Sequence, residues 1–220
     1  MRKEGSYMST KSKVQKPKFI DEFEEVDKIY RNDYLDKIQN KLIKNCTTSE
    51  ISEKGVEIDS CIFKNVVFEE CEFPNIDIID CRFENCDLSN VMFSNSSMKR
   101  VEFVGCKLIG AKFDESSLKD VLFENVIGKY VNFSFSKLQA VNIVESNFNE
   151  GTFQEVKHKA LTFIDTDLRD GYFNGTSLSK IDFTTCDING INVDISALRG
   201  AIVTPMQGLE LTRLLGLEIK

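Results

Sequence analysis

A five-residue period runs through most of this chain and constrains its fold more than any other feature. Every fifth residue from Ile58 to Val203 gives 30 positions in unbroken phase, and 28 of them are apolar. Fourteen of the 17 phenylalanines occupy these positions, here termed centres. The residue two places before each centre is mostly small or β-branched, and neither set contains Asp, Glu, Lys or Arg. Both sets are therefore expected to point into a core, with the other residues facing water.

A period of five matches neither an α-helix, which repeats every 3.6 residues, nor a strand, which alternates every two. Residues two apart do share one side of an extended segment, so each unit offers two inward side chains on a short extended piece. The other three residues must then turn a corner. A chain that turns after every unit and stays in phase is expected to coil as a solenoid.

The repeat units also resemble a known family. The units at 86–90 (Cys-Asp-Leu-Ser-Asn), 111–115 (Ala-Lys-Phe-Asp-Glu) and 166–170 (Thr-Asp-Leu-Arg-Asp) are similar to pentapeptide repeats. The resemblance implies an all-β solenoid over residues 56–203, in the form of a right-handed quadrilateral β-helix with four units in each coil. No insertion breaks the phase, so no loop is expected to protrude from the coils.

Grouping every fourth centre together gives four faces, numbered from the one that begins at Ile58. Faces 2 and 4 begin at Phe63 and Phe73 and are ladders of phenylalanine, whereas faces 1 and 3 are mostly Leu, Ile and Met. Large rings on opposite faces with smaller residues between them can fill a square core evenly. With four units per coil and about 4.8 Å between paired strands, the rod is expected to be about 35 Å long.

Two centres break the ladders. Gly128 on face 3 leaves room that Ile127 or Tyr130 is expected to fill. His158 on face 1 is expected to be a local irregularity or a hydrogen-bonded core residue, with a functional histidine as the alternative.

The N-terminal part of the chain lies outside this phase. Residues 1–20 are polar and rich in lysine, which is typical of a disordered tail. Residues 21–44 carry apolar residues near helical spacing, including Phe23, Val26 and Leu35, and the cap they indicate is expected over residues 21–55. That spacing predicts an N-terminal helical cap that covers the exposed strand edges of the first coil.

The C-terminal residues 204–220 are expected to form a helix and a short tail. Thr204 is a candidate N-cap, Pro205 suits the first helical position and Gly216 is a natural stop. This end resembles the C-terminal helix of the quinolone-resistance pentapeptide proteins, which closes the coil and mediates dimer contact. The resemblance implies a homodimer, with a simple cap as the alternative, and the candidate interface residues are Met206, Leu209, Leu214, Leu215, Leu217 and Ile219.

All seven cysteines share one phase of the period. Inward cysteines behave as small hydrophobic residues, and a reducing compartment keeps them as thiols. We expect buried free thiols, no metal site and a cytoplasmic location. No apolar stretch approaches the roughly 18 residues of a membrane span.

Charge is unevenly distributed over the four faces. The net charge is −7, which argues against direct nucleic-acid binding. Face 1 is rich in Lys and Arg, and the other three faces are acidic. The candidate binding surface is the set of acids on faces 2 and 3: Glu84, Glu102, Glu124, Glu145, Asp165, Asp182, Asp87, Glu150, Asp167, Asp170 and Asp187.

Face 2 also carries four outward apolar residues, Val104, Leu122, Val144 and Ile164. Four on one face suggest a docking strip for the N-terminal helix, a second protomer or a partner.

The acidic rod supports two functional hypotheses. In the first, an acidic rod of this thickness imitates duplex DNA, which carries one charge per about 1.7 Å. The quinolone-resistance members of the family do this to DNA gyrase and topoisomerase IV, so the resemblance implies the same partners here. In the second, the chain is a pentapeptide-repeat scaffold for an unrelated protein. No phosphate-binding loop, catalytic triad or paired-carboxylate motif is found, so neither enzymatic activity nor a cofactor is expected.

Overall fold

The computed structural model describes residues 13–20, 22–27 and 37–217. They form a parallel β-solenoid with a short C-terminal helix. The twelve strands are β1 (Glu24–Val26), β2 (Lys37–Gln39), β3 (Lys41–Lys44), β4 (Thr47–Ser49), β5 (Glu57–Asp59), β6 (Ile62–Lys64), β7 (Val67–Glu69), β8 (Asp77–Glu84), β9 (Ser97–Val104), β10 (Ser117–Glu124), β11 (Lys137–Val144) and β12 (Lys157–Ile164). The helix is α1 (Pro205–Leu211), between 3₁₀ turns at Ile195–Leu198 and Thr212–Leu215.

The register confirms four units in each coil. Strands β8 to β12 each cross the corner between faces 1 and 2 and pair in parallel, with Phe83 opposite Phe103 and Phe103 opposite Phe123. Single bridges on the other two faces keep the same shift, as between Lys112 and Asn132 on face 4. Each coil therefore lies directly on the preceding one.

Phenylalanine rings fill the core as two facing stacks. On face 2, the ring centroids of Phe83 and Phe103 are 4.9 Å apart with an interplanar angle of 10°. On face 4, Phe113 and Phe133 stack at 5.1 Å. Phe103 meets Phe113 edge to face at 6.1 Å and 78°. Stacking along the rod and edge contacts across it are both favourable arrangements for aromatic pairs, which explains why this ladder packs without gaps.

The corners explain why the period is five. The residue two places after nearly every centre has a positive φ, for example 53° at Asn85 and 56° at Asp120. Only Gly, and to a lesser extent Asn and Asp, enter this left-handed region readily, and Asn and Asp are frequent at these corners. Tyr130 adopts the same φ of 60° because the coils above and below fix its backbone.

The prediction of a helical cap over 21–55 is wrong for the residues that the structure describes. Strands β2 to β4 form a further coil in the same phase, with Ile38, Ile43 and Thr48 buried at the centres. Glu53 interrupts that phase in the sequence, which concealed the earlier start of the repeat. Pairing with β5 to β7 satisfies the strand edges that a helix would only have covered. Positions 21 and 28–36 of the predicted cap lie outside the described part.

The space at Gly128 is filled by a neighbour on its own face, not by Ile127 or Tyr130. A Cβ at position 128 would lie 3.0 to 3.2 Å from three carbons of the Phe148 ring. Ile127 and Tyr130 are both exposed. The phenylalanine at this centre of one coil thus fills the space left by the glycine at the same centre of the preceding coil.

This pairing predicts strong coupling between the two positions. Gly128→Leu should destabilise the fold by about 1–3 kcal/mol because the new side chain overlaps the Phe148 ring. Phe148→Leu should also destabilise it, because it leaves a void beside Gly128. The double variant restores a leucine column and should be much more stable than the sum of the two losses. Urea unfolding of all four proteins measures the coupling, and strictly additive losses would contradict the pairing.

His158 is half-buried at the rod surface rather than held in the core. Its Nε2–H donates to the carbonyl oxygen of Ser177 over 2.6 Å. The hydrogen bond accounts for the break in the face 1 ladder.

Within the described ranges, no helix has the length and hydropathy needed to cross a membrane.

Candidate protein-binding surfaces

Four of the predicted surface acids lie in the N-terminal half of the rod, where three are held by cations. Glu84 accepts from Lys64 over 2.9 Å, a hydrogen bond that lowers the pKa of its carboxyl group. Asp87 lies 3.4 Å from Lys107 Nζ. Glu102 is buried and accepts from Arg82 Nη1 over 3.0 Å, so it is not part of an exposed acidic surface. Glu124 lines a groove described below.

The other seven predicted acids lie on three consecutive coils. Arg169 forms ion pairs with two of them, Asp167 at 2.7 Å and Asp187 at 3.6 Å. The hydrogen bond from Arg169 lowers the pKa of the Asp167 carboxyl group. Glu145, Asp165 and Asp170 are exposed at the corners of face 3. This set is named the acidic patch: Glu145, Glu150, Asp165, Asp167, Asp170, Asp182 and Asp187.

Two residues of the docking strip on face 2, Val104 and Leu122, face the N-terminal segment of the chain. Val144 is buried, and Val104, Leu122 and Ile164 are half-buried. Residues 13–20, predicted as part of a disordered tail, instead lie against the rod in this structure. A groove of about 350 Å³ lies between them and face 2, with Val14 on one side and Val104 and Leu122 on the other. Residues 1–12 of the predicted tail lie outside the described part.

Two aspartates at the corner between faces 1 and 2 hold this segment. The backbone N–H of Gln15 donates to Asp120 Oδ1 over 3.1 Å, and that of Lys18 donates to Asp80 Oδ1 over 2.8 Å. Arg100 lies between these aspartates in the stack of coils and binds Asp80 with two nitrogens. Burial raises the pKa of Asp80, but the hydrogen bonds from Arg100 and Lys18 outweigh it and leave the pKa lowered.

Sequence reasoning missed these corner aspartates because it treated corner residues as solvated. The available signal was the spacing of Arg100, which follows Asp80 by 20 residues and precedes Asp120 by 20 residues, so it lies one coil from each. That spacing puts one cation between two carboxylates in the stack.

At the C-terminal end, the expected caps are confirmed. Thr204 Oγ1 accepts from the N–H of Gln207, whose side chain in turn accepts from the N–H of Thr204, and Pro205 is the first residue of α1. Gly216 ends the segment with a φ of 68°. This capping box fixes where the helix starts on the last coil.

The predicted dimer surface divides into two sets. Leu214 packs on the core together with Leu211, which the sequence analysis had not selected. The exposed set is named the end patch: Met206, Leu209, Leu215 and Leu217. Met206 exposes 68% of its surface, although it is one of the largest apolar side chains of this end. Ile219 lies outside the described residues.

The cysteines are free thiols, six of them buried and Cys46 half-buried. Five of the buried thiols donate to backbone carbonyls within the coils, as from Cys81 to Ile79 over 3.2 Å. Burial raises the pKa of the Cys71 and Cys186 thiols, which keeps them protonated and unreactive.

Parallel coils of five-residue units with two inward side chains per unit define a pentapeptide-repeat β-solenoid. Residues 56–133 and 76–153 match the family model described as the pentapeptide repeat region. These matches identify residues 56–153 as a pentapeptide-repeat region.

Several solved structures are similar to this chain. Full-length QnrB1, a plasmid-mediated fluoroquinolone resistance protein, is 26% identical over 87% of this chain and 95% of its own, with a TM-score of 0.42. A trypsin-treated QnrB1 variant is 24% identical over 89% and 96%, with a TM-score of 0.46. Rfr23 from the cyanobacterium Cyanothece 51142 is 18% identical over 48% and 66%, with a TM-score of 0.34. No curated protein gives a significant match.

Proposed function

We propose that this chain is a non-enzymatic, cytoplasmic protein-binding rod whose acidic patch imitates duplex DNA. The proposed partner is the basic DNA-binding saddle of a type II topoisomerase, either DNA gyrase or topoisomerase IV. Binding there would compete with DNA and protect the enzyme from quinolones.

The density of the acidic patch carries this proposal. Seven carboxylates lie on three consecutive coils, which span about 14 Å of the rod at the spacing of paired strands. That is about one charge per 2 Å, close to the value of about one per 1.7 Å for duplex DNA. Arg169 offsets one of these charges and orders two of the carboxylates. A basic saddle would therefore meet a charge density near that of its own ligand.

The test is a supercoiling assay with purified gyrase, with and without quinolone, titrated with this protein. Wild type should inhibit supercoiling or protect the enzyme at micromolar concentration. Glu145→Gln/Asp165→Asn/Asp170→Asn removes three exposed charges from the acidic patch and should weaken the effect at least tenfold. The loss should shrink at higher salt, because electrostatic attraction is then screened for every variant.

The matched control is Glu72→Gln/Glu115→Gln/Glu155→Gln, which removes three exposed charges from face 4 and its corner. It should stay within about twofold of wild type if the position of the charges matters. A flat response to folded wild type, or an equal loss in the control, would contradict mimicry by the acidic patch. The scaffold hypothesis would then stand.

We also propose a two-fold contact between C-terminal ends. The end patch leaves four large apolar side chains in water beside a cap that Leu211 and Leu214 already complete. Pairing two copies buries the end patch symmetrically and doubles the rod to about 80 Å at the strand spacing. A two-fold rod also suits a topoisomerase saddle, which is itself two-fold.

Leu209→Glu should convert the dimer to a monomer without lowering the melting temperature, because Leu209 is exposed and outside the core. Sedimentation at tens of micromolar protein measures the change. Glu210→Gln, one residue along the same helix, serves as the control and should remain dimeric. Sedimentation of the wild type as a monomer would rule out the dimer and reduce α1 to a cap.

A further inference from the structure

Residues 13–18, here named the strap, lie along face 2 and form one side of the groove there, whose other side is the surface of the coils. Two of its backbone N–H groups, those of Gln15 and Lys18, donate to carboxylates of Asp120 and Asp80. Those carboxylates are far apart along the chain but only two coils apart in the stack. Asp80 and Asp120 are both buried, in part beneath the strap.

The spacing of the anchors matches the geometry of an extended chain. Two coils rise about 10 Å along the rod at the strand spacing. Three residues of extended chain, from Gln15 to Lys18, also span about 10 Å. A peptide that runs along the rod axis can therefore use an acceptor in every second coil without bending.

The strap also matches the groove chemically. Lys13 and Lys16 line the groove together with Glu124 and with Glu102, which is paired with Arg82 in the same lining. Val14 lines it opposite Val104 and Leu122, so each side contributes apolar surface as well as charge. Basic and apolar side chains thus meet an acidic and apolar surface, while the two anchors are main-chain groups that almost any sequence can supply.

Two features show that the strap can leave without unfolding a coil. Pro17, which lies between the anchors, has no N–H to lose and holds Lys16 in an extended conformation. After the strap the chain reaches β1, which is fixed separately by pairing with β3 and by ion pairs of Glu24 with Lys41 and Glu25 with Lys44. The strap is therefore a tethered ligand on a surface of face 2 that the coils form by themselves.

We propose that the face 2 groove is a docking site for an extended, lysine-rich segment of a partner protein, and that the strap is its intramolecular competitor. The partner segment would place a lysine and a β-branched residue where Lys16 and Val14 lie, and would donate two N–H groups to Asp80 and Asp120. The strap restricts this site to partners that can displace it. Asp80 and Asp120 lie on coils that carry none of the acidic patch, so this proposal does not depend on topoisomerase binding.

The test uses the full chain and a fluorescein-labelled peptide with the sequence of residues 13–20. Lys16→Glu/Lys18→Glu places two acids of the strap over an acidic groove and should release it. A tethered ligand competes at a local concentration near millimolar. The released variant should therefore bind the peptide at least tenfold more tightly than wild type by fluorescence anisotropy.

Three controls identify the site. Lys137→Glu/Lys157→Glu makes the same charge change at exposed positions of face 1 and should bind the peptide as weakly as wild type. Adding Leu122→Glu to the released variant should abolish peptide binding while the melting temperature stays within a few degrees. In wild type, the backbone amides at positions 15 and 18 should exchange with deuterium at least tenfold more slowly than those at the same positions of the released variant.

Equal affinity of the peptide for wild type and the released variant would overturn the role of the strap as a competitor. Absence of binding to the folded released variant would overturn the docking site itself. A wild-type dimer that dissociates on Lys16→Glu/Lys18→Glu would show that a second copy supplies the strap, and would also overturn intramolecular competition. Failure of the gyrase assay would leave all three results unchanged.

Discussion

Phe113→Asp is expected to abolish cooperative folding of the central coils. Phe113 is completely buried, stacked between Phe93 at 5.2 Å and Phe133 at 5.1 Å, with the edges of Phe103 and Phe123 against it. Losing a buried phenylalanine alone costs about 3–5 kcal/mol. An unpaired carboxylate in the same place adds a penalty of several kcal/mol. The total is comparable to the about 5–15 kcal/mol that stabilises a whole domain.

The matched control is Lys112→Asp, which introduces the same residue one position earlier. Lys112 is exposed on face 4, so the change should stay within about 0.5 kcal/mol of wild type. Urea unfolding followed by circular dichroism compares the two. Similar losses in both variants would contradict the inward phase of the centres.

Arg100→Met should be the most destabilising change at the rod surface, by about 3–5 kcal/mol. Arg100 is largely buried at the corner and forms a two-nitrogen contact with Asp80, with Asp120 in the next coil. Removing it leaves the buried carboxylate of Asp80 without its cation, and that of Asp120 without the neighbouring positive charge. It should also loosen the strap, which depends on the same two carboxylates.

Two controls separate the lost charge from the lost packing. Arg199→Met makes the same substitution at an exposed residue and should be nearly neutral. Asp80→Asn/Arg100→Met removes both partners and should recover much of the loss, because no uncompensated charge remains at that position. If the double variant is no more stable than Arg100→Met, then the broken ion pair is not the cause of the lost stability.

The same pair predicts how stability depends on pH. The pKa of Asp80 is lowered in the folded state. Its contribution is therefore fully present above the unfolded pKa of about 3.9 and is lost as the pH falls through the lower folded value. Asp80→Asn should flatten the acid limb of the stability curve below about pH 4, measured by thermal melts. An unchanged acid limb would contradict the shift.

The sequence by itself determined the coil. Two inward positions in every five, with no charged residue at either, can be satisfied only if the chain turns after each unit and stacks in phase. The ladders of Phe83, Phe103 and Phe123 then follow from packing, and the structure confirms them. The caps at Thr204 and Gly216 were also readable, because they depend on local hydrogen bonds and backbone conformation.

The tertiary structure decided everything that depends on contacts between distant residues. The earliest coil was hidden because its centres include the polar residues Thr48 and Glu53, and Thr48 lies in a strand because the next coil pairs with it. The ring of Phe148 occupies the space of Gly128 because the two lie one above the other, a relation that no periodicity reveals. Among the C-terminal leucines, periodicity could not separate Leu214, which caps the core, from Leu209, which does not. The strap lies on face 2 because Asp80 and Asp120 accept hydrogen bonds from two of its N–H groups. These aspartates are far apart in the sequence and lie only two coils apart in the folded rod, so the sequence did not show that one short segment could reach both.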